Sequence, residues 1–223
     1  MVNVYIGYDK REHIAAEVCK FSLKINSNII ANYLKSEDIP EYKRPREENQ
    51  STDFTYTRFF VPFLENYKGF SIFCDCDFVF LHNIDSLMKI VDFEKAISVA
   101  KHPAYIPNSN IKMDGIPQHK MPRKNWASLI VFNNEHPSCK KLTPEYINTI
   151  QPGRLLHTFE WVKDTDIGSL PLEWNTLDDY YHFQNPKAIH YTDGGPWFEN
   201  YKETFYSDIW KSYYERYVNS RRT

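Results

Sequence analysis

The first 34 residues switch between two hydrophobic periods, and that switch limits the fold more than any other feature of the chain. Residues 2–8 read as a β-strand ending at Gly7-Tyr8-Asp9. Over 11–25 the apolar positions Ile14, Val18, Phe21 and Ile25 recur at helical spacing, and 29–34 returns to a strand pattern. Strand, helix and strand with short connections make a βαβ unit, which requires parallel strands with both faces covered. The alternation continues. The spacing predicts a helix over 52–66 with Thr52 or Asp53 as N-cap, an apolar strand over 70–73, a short helix near 84–90, and strands over 96–100 and 128–132. Thr143-Pro144 opens a helix with proline in its first turn, 188–191 is a final strand, and 198–218 is helix-like and aromatic. Neither a repeat nor a linker divides the 223 residues, so one α/β domain over 1–223 is expected.

The strand over 70–73 runs into Asp75-Cys76-Asp77 and then into a second apolar run, Phe78-Val79-Phe80-Leu81. Side chains on a strand repeat every second residue, so the two acids are expected on one side of the backbone. Carboxylates in an apolar setting need a partner. A hard divalent cation held by only two carboxylates keeps positions open for water or phosphate oxygens. The motif therefore points to phosphate chemistry on a nucleoside diphosphate.

Other features narrow the class. A net charge of −2 lacks the basic face of a nucleic-acid binder, so no nucleic-acid partner is expected. No segment has the apolar length of a membrane span, and the first residues lack the layout of a signal peptide, so the expected location is cytoplasmic. Cys19, Cys74, Cys76 and Cys139 are expected to be buried reduced thiols. Aromatic residues make up 16% of the chain, a composition that suits sugar stacking as well as core packing. The stretch 102–124, with four prolines at 103, 107, 117 and 122, reads as a binding loop or lid.

The order of several motifs resembles one family. Ile6-Gly7-Tyr8-Asp9 at the first strand end, Tyr56-Thr57-Arg58, Asp75-Cys76-Asp77, Asn125 before a buried strand, and His190 leading into Gly194-Gly195-Pro196-Trp197 follow one another as in GT-A-fold nucleotide-sugar glycosyltransferases. The chain is similar to glycosyltransferase family 8 and related bacterial and viral enzymes from about residue 3 to about 200. The resemblance implies a GT-A-type, Rossmann-like single domain with a mixed, mostly parallel sheet flanked by helices. It also implies a bound Mn²⁺ (with Mg²⁺ as the alternative ion), a nucleotide-sugar donor, usually a UDP-sugar, and a glycan or glycolipid acceptor. Asp75, Asp77 and His190 would hold the metal, a mixed carboxylate and imidazole set that suits Mn²⁺ better than Ca²⁺. Gly7, Tyr8, Asp9, Arg58, Cys76, Asn125, Gly194 and Gly195 would join Asp75 in contacting the donor, the glycines through exposed backbone N–H groups.

Two departures from the family pattern stand out. The turn after His190 is short and has no lysine before Pro196, so a charge facing the diphosphate would come from elsewhere: Lys101, Lys124 or Lys187. The family's Asp-Gln pair has no literal match, and Glu160, Asp164 and Asp166 are the catalytic candidates in that stretch. The family favours retention of anomeric configuration, and the altered pair leaves inversion open. Trp161, Trp174 and Trp197 are candidates for stacking on sugar faces or for the core.

The residues also admit a haloacid-dehalogenase-type phosphatase, with Asp75 as nucleophile, Asp77 as acid/base and Asp178-Asp179 as the late acidic pair. Against that reading, its signature normally opens the domain, whereas here a βαβ unit precedes it. A carbohydrate-binding protein without catalysis is the third. The aromatic, basic segment 198–223 either covers the sheet or makes a peripheral membrane contact.

Overall fold

The computed structural model describes residues 2–47, 50–104, 111–113, 115–117, 122–178, 180 and 182–222. In chain order its elements are β1 (Asn3–Gly7), α1 (His13–Ser27), β2 (Asn32–Leu34), α2 (Val61–Leu64), β3 (Phe70–Cys74), β4 (Phe78–Phe80), α3 (Asp85–Met88) and β5 (Ile97–Ala100). They continue with β6 (Ile111–Lys112), β7 (Ile116–Pro117), β8 (Leu129–Asn133), α4 (Pro144–Thr149), α5 (Arg154–His157), β9 (Ile167–Leu170), β10 (Thr176–Leu177), β11 (Ala188–His190) and α6 (Ser207–Ser220).

The first βαβ unit forms as its pattern requires. Helix α1 ends at Asn28, whose left-handed backbone (φ 53°) lets its N–H bond back to the Lys24 carbonyl. Strands β1 and β2 pair in parallel, with Ile6 opposite Tyr33. They belong to a six-stranded sheet of order β2-β1-β3-β8-β5-β9. Only β8 runs against the rest, pairing antiparallel with both β3 and β5. The central sheet is thus mixed and mostly parallel, flanked by helices. A smaller sheet of order β10-β11-β4 sits beyond the acid-bearing turn, and β6 and β7 form a short hairpin.

Helix α1 serves two cores. Ala16, Cys19 and Leu23 pack into the large cluster with Ile6, Ile72 and Phe132, while Val18 joins Val79, Ile189 and Tyr191 in a second cluster. These positions fall on different faces of a 3.6-residue helix. The four cysteines are free and buried.

Three sequence expectations change. The predicted helix over 52–66 begins at residue 57 instead, as a 3-10 turn (Thr57–Phe60) leading into the short α2 with Pro62 in its first turn. Thr52 and Asp53 cap nothing there: the Asp53 N–H donates to Asp9 Oδ2, and the Thr52 N–H to Thr55 Oγ1. The C-terminal helix starts at Ser207 rather than 198, after a 3-10 turn at Glu199–Tyr201. The acids, expected at the strand end with the strand's own alternation, lie just past it: β3 closes at Cys74, and Asp75 to Asp77 form the turn between the two sheets. Only part of the 102–124 stretch falls within the described residues, as the hairpin β6–β7 and its flanks; Asp179 lies outside them.

Candidate metal centre

The turn carrying Asp75 and Asp77 is fixed at both ends. The Asp75 N–H donates to the Ser128 carbonyl (2.9 Å), prolonging the β3–β8 ladder. The Asp77 carbonyl accepts from the Tyr191 N–H (3.0 Å), prolonging the ladder between β4 and β11. Register then places His190 opposite Phe78, and the imidazole stacks on that ring with centroids 4.5 Å apart. One ligand atom from each of Asp75, Asp77 and His190 therefore falls within 4.8 Å of the others. All three sit at the ends of strands.

The chemistry of this cluster fits a divalent cation. Asp77 Oδ1 is buried and accepts no hydrogen bond, and the buried Asp75 Oδ1 has an ion-pair contact alone. Asp75 is offset by an ion pair to Arg58 (2.9 Å), whose guanidinium also donates to the Ala127 carbonyl (2.7 Å). Burial pushes the Asp75 carboxyl up to about 6; Arg58 opposes this and Asp77 adds to it. Burial likewise raises Glu12 well above the carboxylate range, with Asp77 and Asp9 adding to it. Glu12 accepts a long hydrogen bond from Cys76 Sγ (3.7 Å), so an acidic layer backs the site. Two acids and an imidazole this close together suit a cation with oxygen and imidazole ligands.

The donor-contact residues of the sequence reading divide into two groups. Arg58, Asp75, Cys76 and Asn125 gather around the cluster. Asn125 adopts the left-handed region (φ 62°), and its side-chain oxygen accepts from Thr192 Oγ1 (3.2 Å). Asp9 is instead a brace. Burial acts to raise its pKa, but hydrogen bonds from the Arg11 side chain and backbone outweigh that and lower it. Both of its oxygens are engaged, by Arg11 and by the Asp53 N–H. A Cβ on Gly7 would lie 2.5 Å from the Phe54 ring, so close ring packing is what requires glycine there. Tyr8 faces His13, Tyr33 and Lys35. Gly194 has φ +130°, and a Cβ on Gly195 would collide with the Trp197 ring at 2.0 Å.

The proposed catalytic acids are not brought to this cluster. Asp164 to Asp166 form a 3-10 turn at the start of β9, the end of the sheet opposite the one where β3 delivers Asp75. Asp164 is exposed and paired with Arg123 (2.6 Å), and Glu160 is exposed on the turn after α5. Trp161 and Trp174 are buried in the core, and Trp197 packs between Tyr191 and Trp210. Of the lysines considered, Lys101 donates to the Ile167 carbonyl and Lys187 lies over Trp174. Burial pulls Lys124 down to about 8, with Asp193 opposing. A cation that sequence reading missed, Lys112 on β6, is near enough to offset both Asp75 and Glu12. The Met113 N–H docks its hairpin on the Asp193 carbonyl (2.8 Å). No spacing marks Lys112, because a tertiary contact brings it in. Asp178, offered to the phosphatase reading, accepts from Thr204 Oγ1.

Comparison with known proteins agrees with this architecture. No protein-family model matches the chain. The bifunctional glycosyltransferase WbbM superposes with a TM-score of 0.63 at 17% identity, covering 96% of this chain and 49% of that one. The chain thus spans about half the length of that protein. The galactosyltransferase LgtC, solved with donor and acceptor sugar analogs, gives a TM-score of 0.60 at 9% identity and covers 96% of both chains. At such identities the likeness concerns the fold, which is that of the GT-A glycosyltransferases. Protein CDI of Arabidopsis thaliana is 39% identical over 227 aligned residues, 96% of this chain and 86% of that relative. With that identity along nearly its full length, the chain belongs to the same family as Protein CDI.

Proposed function

We propose that the protein is a metal-dependent glycosyltransferase that moves a sugar from a nucleotide sugar, a UDP-sugar, to a hydroxyl of a glycan or glycolipid. The observation that carries this reading is the convergence of Asp75, Asp77 and His190 within 4.8 Å on a glycosyltransferase fold. Mn²⁺, or Mg²⁺ in its place, would be held by these three side chains, and a bound cation supplies Lewis-acid stabilisation of charge on a departing diphosphate. The chain's own residues do the rest. Arg58 keeps Asp75 ionised and oriented, while Lys112 and Lys124 supply positive charge on the hairpin side, where the family's lysine is missing. Asn125 and the Gly194-Gly195 turn would contact the donor, and Tyr8, just past the end of β1, would contact its base. In the transfer the bond between the anomeric carbon and the phosphate oxygen breaks with its electron pair leaving on the nucleoside diphosphate, the acceptor oxygen bonds the anomeric carbon, and its proton passes to the released diphosphate or to water. Glu160, Asp164 and Asp166 stand apart from this arrangement: Asp164 is paired with Arg123, and the turn Asp164–Asp166 precedes β9 at the other end of the sheet.

The test is calorimetry with Mn²⁺ and a panel of nucleoside diphosphates, followed by an assay of UDP and phosphate release from UDP-sugars. The expected result is Mn²⁺-dependent binding of UDP and slow UDP release, both lost in Asp75→Ala/Asp77→Ala with the fold retained. Release of inorganic phosphate would favour the phosphatase. Binding of sugars alone, without nucleotide, would favour a lectin.

A further inference from the structure

His190 is held from the side away from the acids by Asn175, which ends the 3-10 turn Leu172–Asn175 ahead of β10 and is fully buried. Its amide orientation is fixed by what surrounds it. Nδ2 lies 3.1 Å from the Asn125 carbonyl, which can only accept, and 2.9 Å from Ser128 Oγ. Ser128 Oγ spends its own proton on the same Asn125 carbonyl (2.7 Å) and so must accept from the amide. The amide nitrogen therefore faces those groups, and Oδ1 faces His190 Nδ1 at 2.9 Å. An amide oxygen only accepts, so Nδ1 must carry a proton. In the neutral ring Nε2 is then a bare lone pair, and it points at Asp77 Oδ1 from 3.4 Å. That carboxylate oxygen is buried and accepts no hydrogen bond. In that neutral form two electron-rich atoms face each other, an arrangement that a cation between them would join. His102, also buried, lies beside Asn175.

We infer that Asn175 is a positioning residue that sets the tautomer of His190, turning Nε2 into a cation ligand aimed between Asp77 and Asp75. The inference rests on the divalent-cation reading above for its purpose, but not for its geometry. Asn175 touches neither substrate nor cation. It acts through His190, as groups behind metal-bound imidazoles commonly do. Phe78 fixes the plane of the ring by stacking, and Asn175 fixes which nitrogen is presented.

The first measurement needs no metal. In ¹⁵N imidazole spectra of the metal-free protein at about pH 8, where neutral rings dominate, the His190 signals are those missing from a His190→Gln spectrum. They are expected to show a protonated Nδ1 and an unprotonated Nε2; a proton on Nε2 overturns the inference. The second measurement is Mn²⁺ titration followed by electron paramagnetic resonance. Asn175→Leu removes the acceptor and is expected to scramble the tautomer and weaken Mn²⁺ binding by about 10–100-fold. Asn175→Asp keeps an oxygen toward Nδ1 and is expected to preserve the tautomer, with Mn²⁺ affinity within about threefold. Wild-type Mn²⁺ affinity in the leucine variant overturns the inference. If that variant does not fold, a lost tautomer in the aspartate variant overturns it equally well. If wild-type protein shows the expected tautomer yet binds no Mn²⁺, the metal-dependent function falls while the control of His190 by Asn175 stands.

Discussion

Arg58 answers a buried carboxylate from a side chain only 7% exposed, and such a pair cannot lose one member cheaply. Breaking a buried ion pair from one side costs about 3–5 kcal/mol, because it strands the other charge. Arg58→Met is therefore expected to destabilise the metal-free protein by roughly 3 kcal/mol in urea unfolding. Added Mn²⁺ should recover part of that loss, since a cation at Asp75 replaces the missing one. No recovery with Mn²⁺ would separate Arg58 from the metal centre. His102 gives a second prediction at this scale. Burial, with His190 adding, pulls it down to about 4 from the ordinary imidazole value. The unfolded chain then takes up a proton that the native state refuses, so stability is complete above about pH 6.5 and falls as pH drops toward 4. Asp75 and Glu12, raised by burial, act in the opposite sense but equally in wild type and variant. His102→Gln is thus expected to gain on wild type by about 2 kcal/mol between pH 7.5 and 5. An unchanged difference in Tm across that range would mean that His102 is protonated in the fold. Asp75, Asp77 and His190 were legible in the sequence because short motifs mark them. Asn175 and Glu12 were not, since a lone amide or acid reveals its burial only after the strands are paired.

The element that brings the site together is a turn, not a strand. Asp75 to Asp77 leave the central sheet and enter the small one, and each sheet fixes one acid through a backbone hydrogen bond. Periodicity could place the acids at a strand end but could not show that the second apolar run pairs with residues more than a hundred positions away. The same blindness explains the segment 52–66, where helical spacing was satisfied by tight turns braced on Asp9. The βαβ unit and the start of α4 at Thr143-Pro144 were legible because their signals are local; in the fold Thr143 Oγ1 accepts from the Tyr146 N–H. Helix α6 shows where the aromatic stripe goes. Trp210 and Tyr213 are buried in the cluster that α1 shares, and Tyr217 Oη donates to Glu17 on α1. Trp210→Ala is expected to cost about 3–5 kcal/mol, as for other buried tryptophans. No helix among the described residues is long and apolar enough to cross a membrane. Surface attachment through α6 would have to use what the packing leaves out, chiefly Phe205, Tyr214 and the terminal arginines. Co-sedimentation of the full chain and of one ending at Tyr217 with anionic vesicles decides it: weaker binding by the shorter chain supports the contact, and equal, negligible binding removes it.

At the scale of the whole molecule, the three candidate metal ligands belong to different sheets. Asp75 follows β3 of the central sheet, His190 ends β11 of the small sheet, and Asp77 stands between them. What ties the sheets in the metal-free protein is α1, which contributes side chains to both hydrophobic clusters, together with β4, whose Phe78 and Phe80 enter one cluster while Val79 enters the other. Removing the small sheet would strip a face of α1, and removing the central sheet would strip its opposite face. The two layers therefore share a helix that neither can release alone, and we propose that residues 1–223 unfold as one cooperative domain. Calorimetry of the metal-free chain is expected to show a single transition with equal calorimetric and van't Hoff enthalpies. A divalent cation that bridges the sheets binds only the native arrangement, so Mn²⁺ at about 100 times its Kd should add about 2.7 kcal/mol and raise Tm without changing the number of transitions. Two transitions that merge into one on adding Mn²⁺ would mean that the small sheet and α6 open separately and that the cation, not α1, joins them. A single transition that Mn²⁺ leaves at the same temperature would keep the one-domain reading and remove the cation from the site.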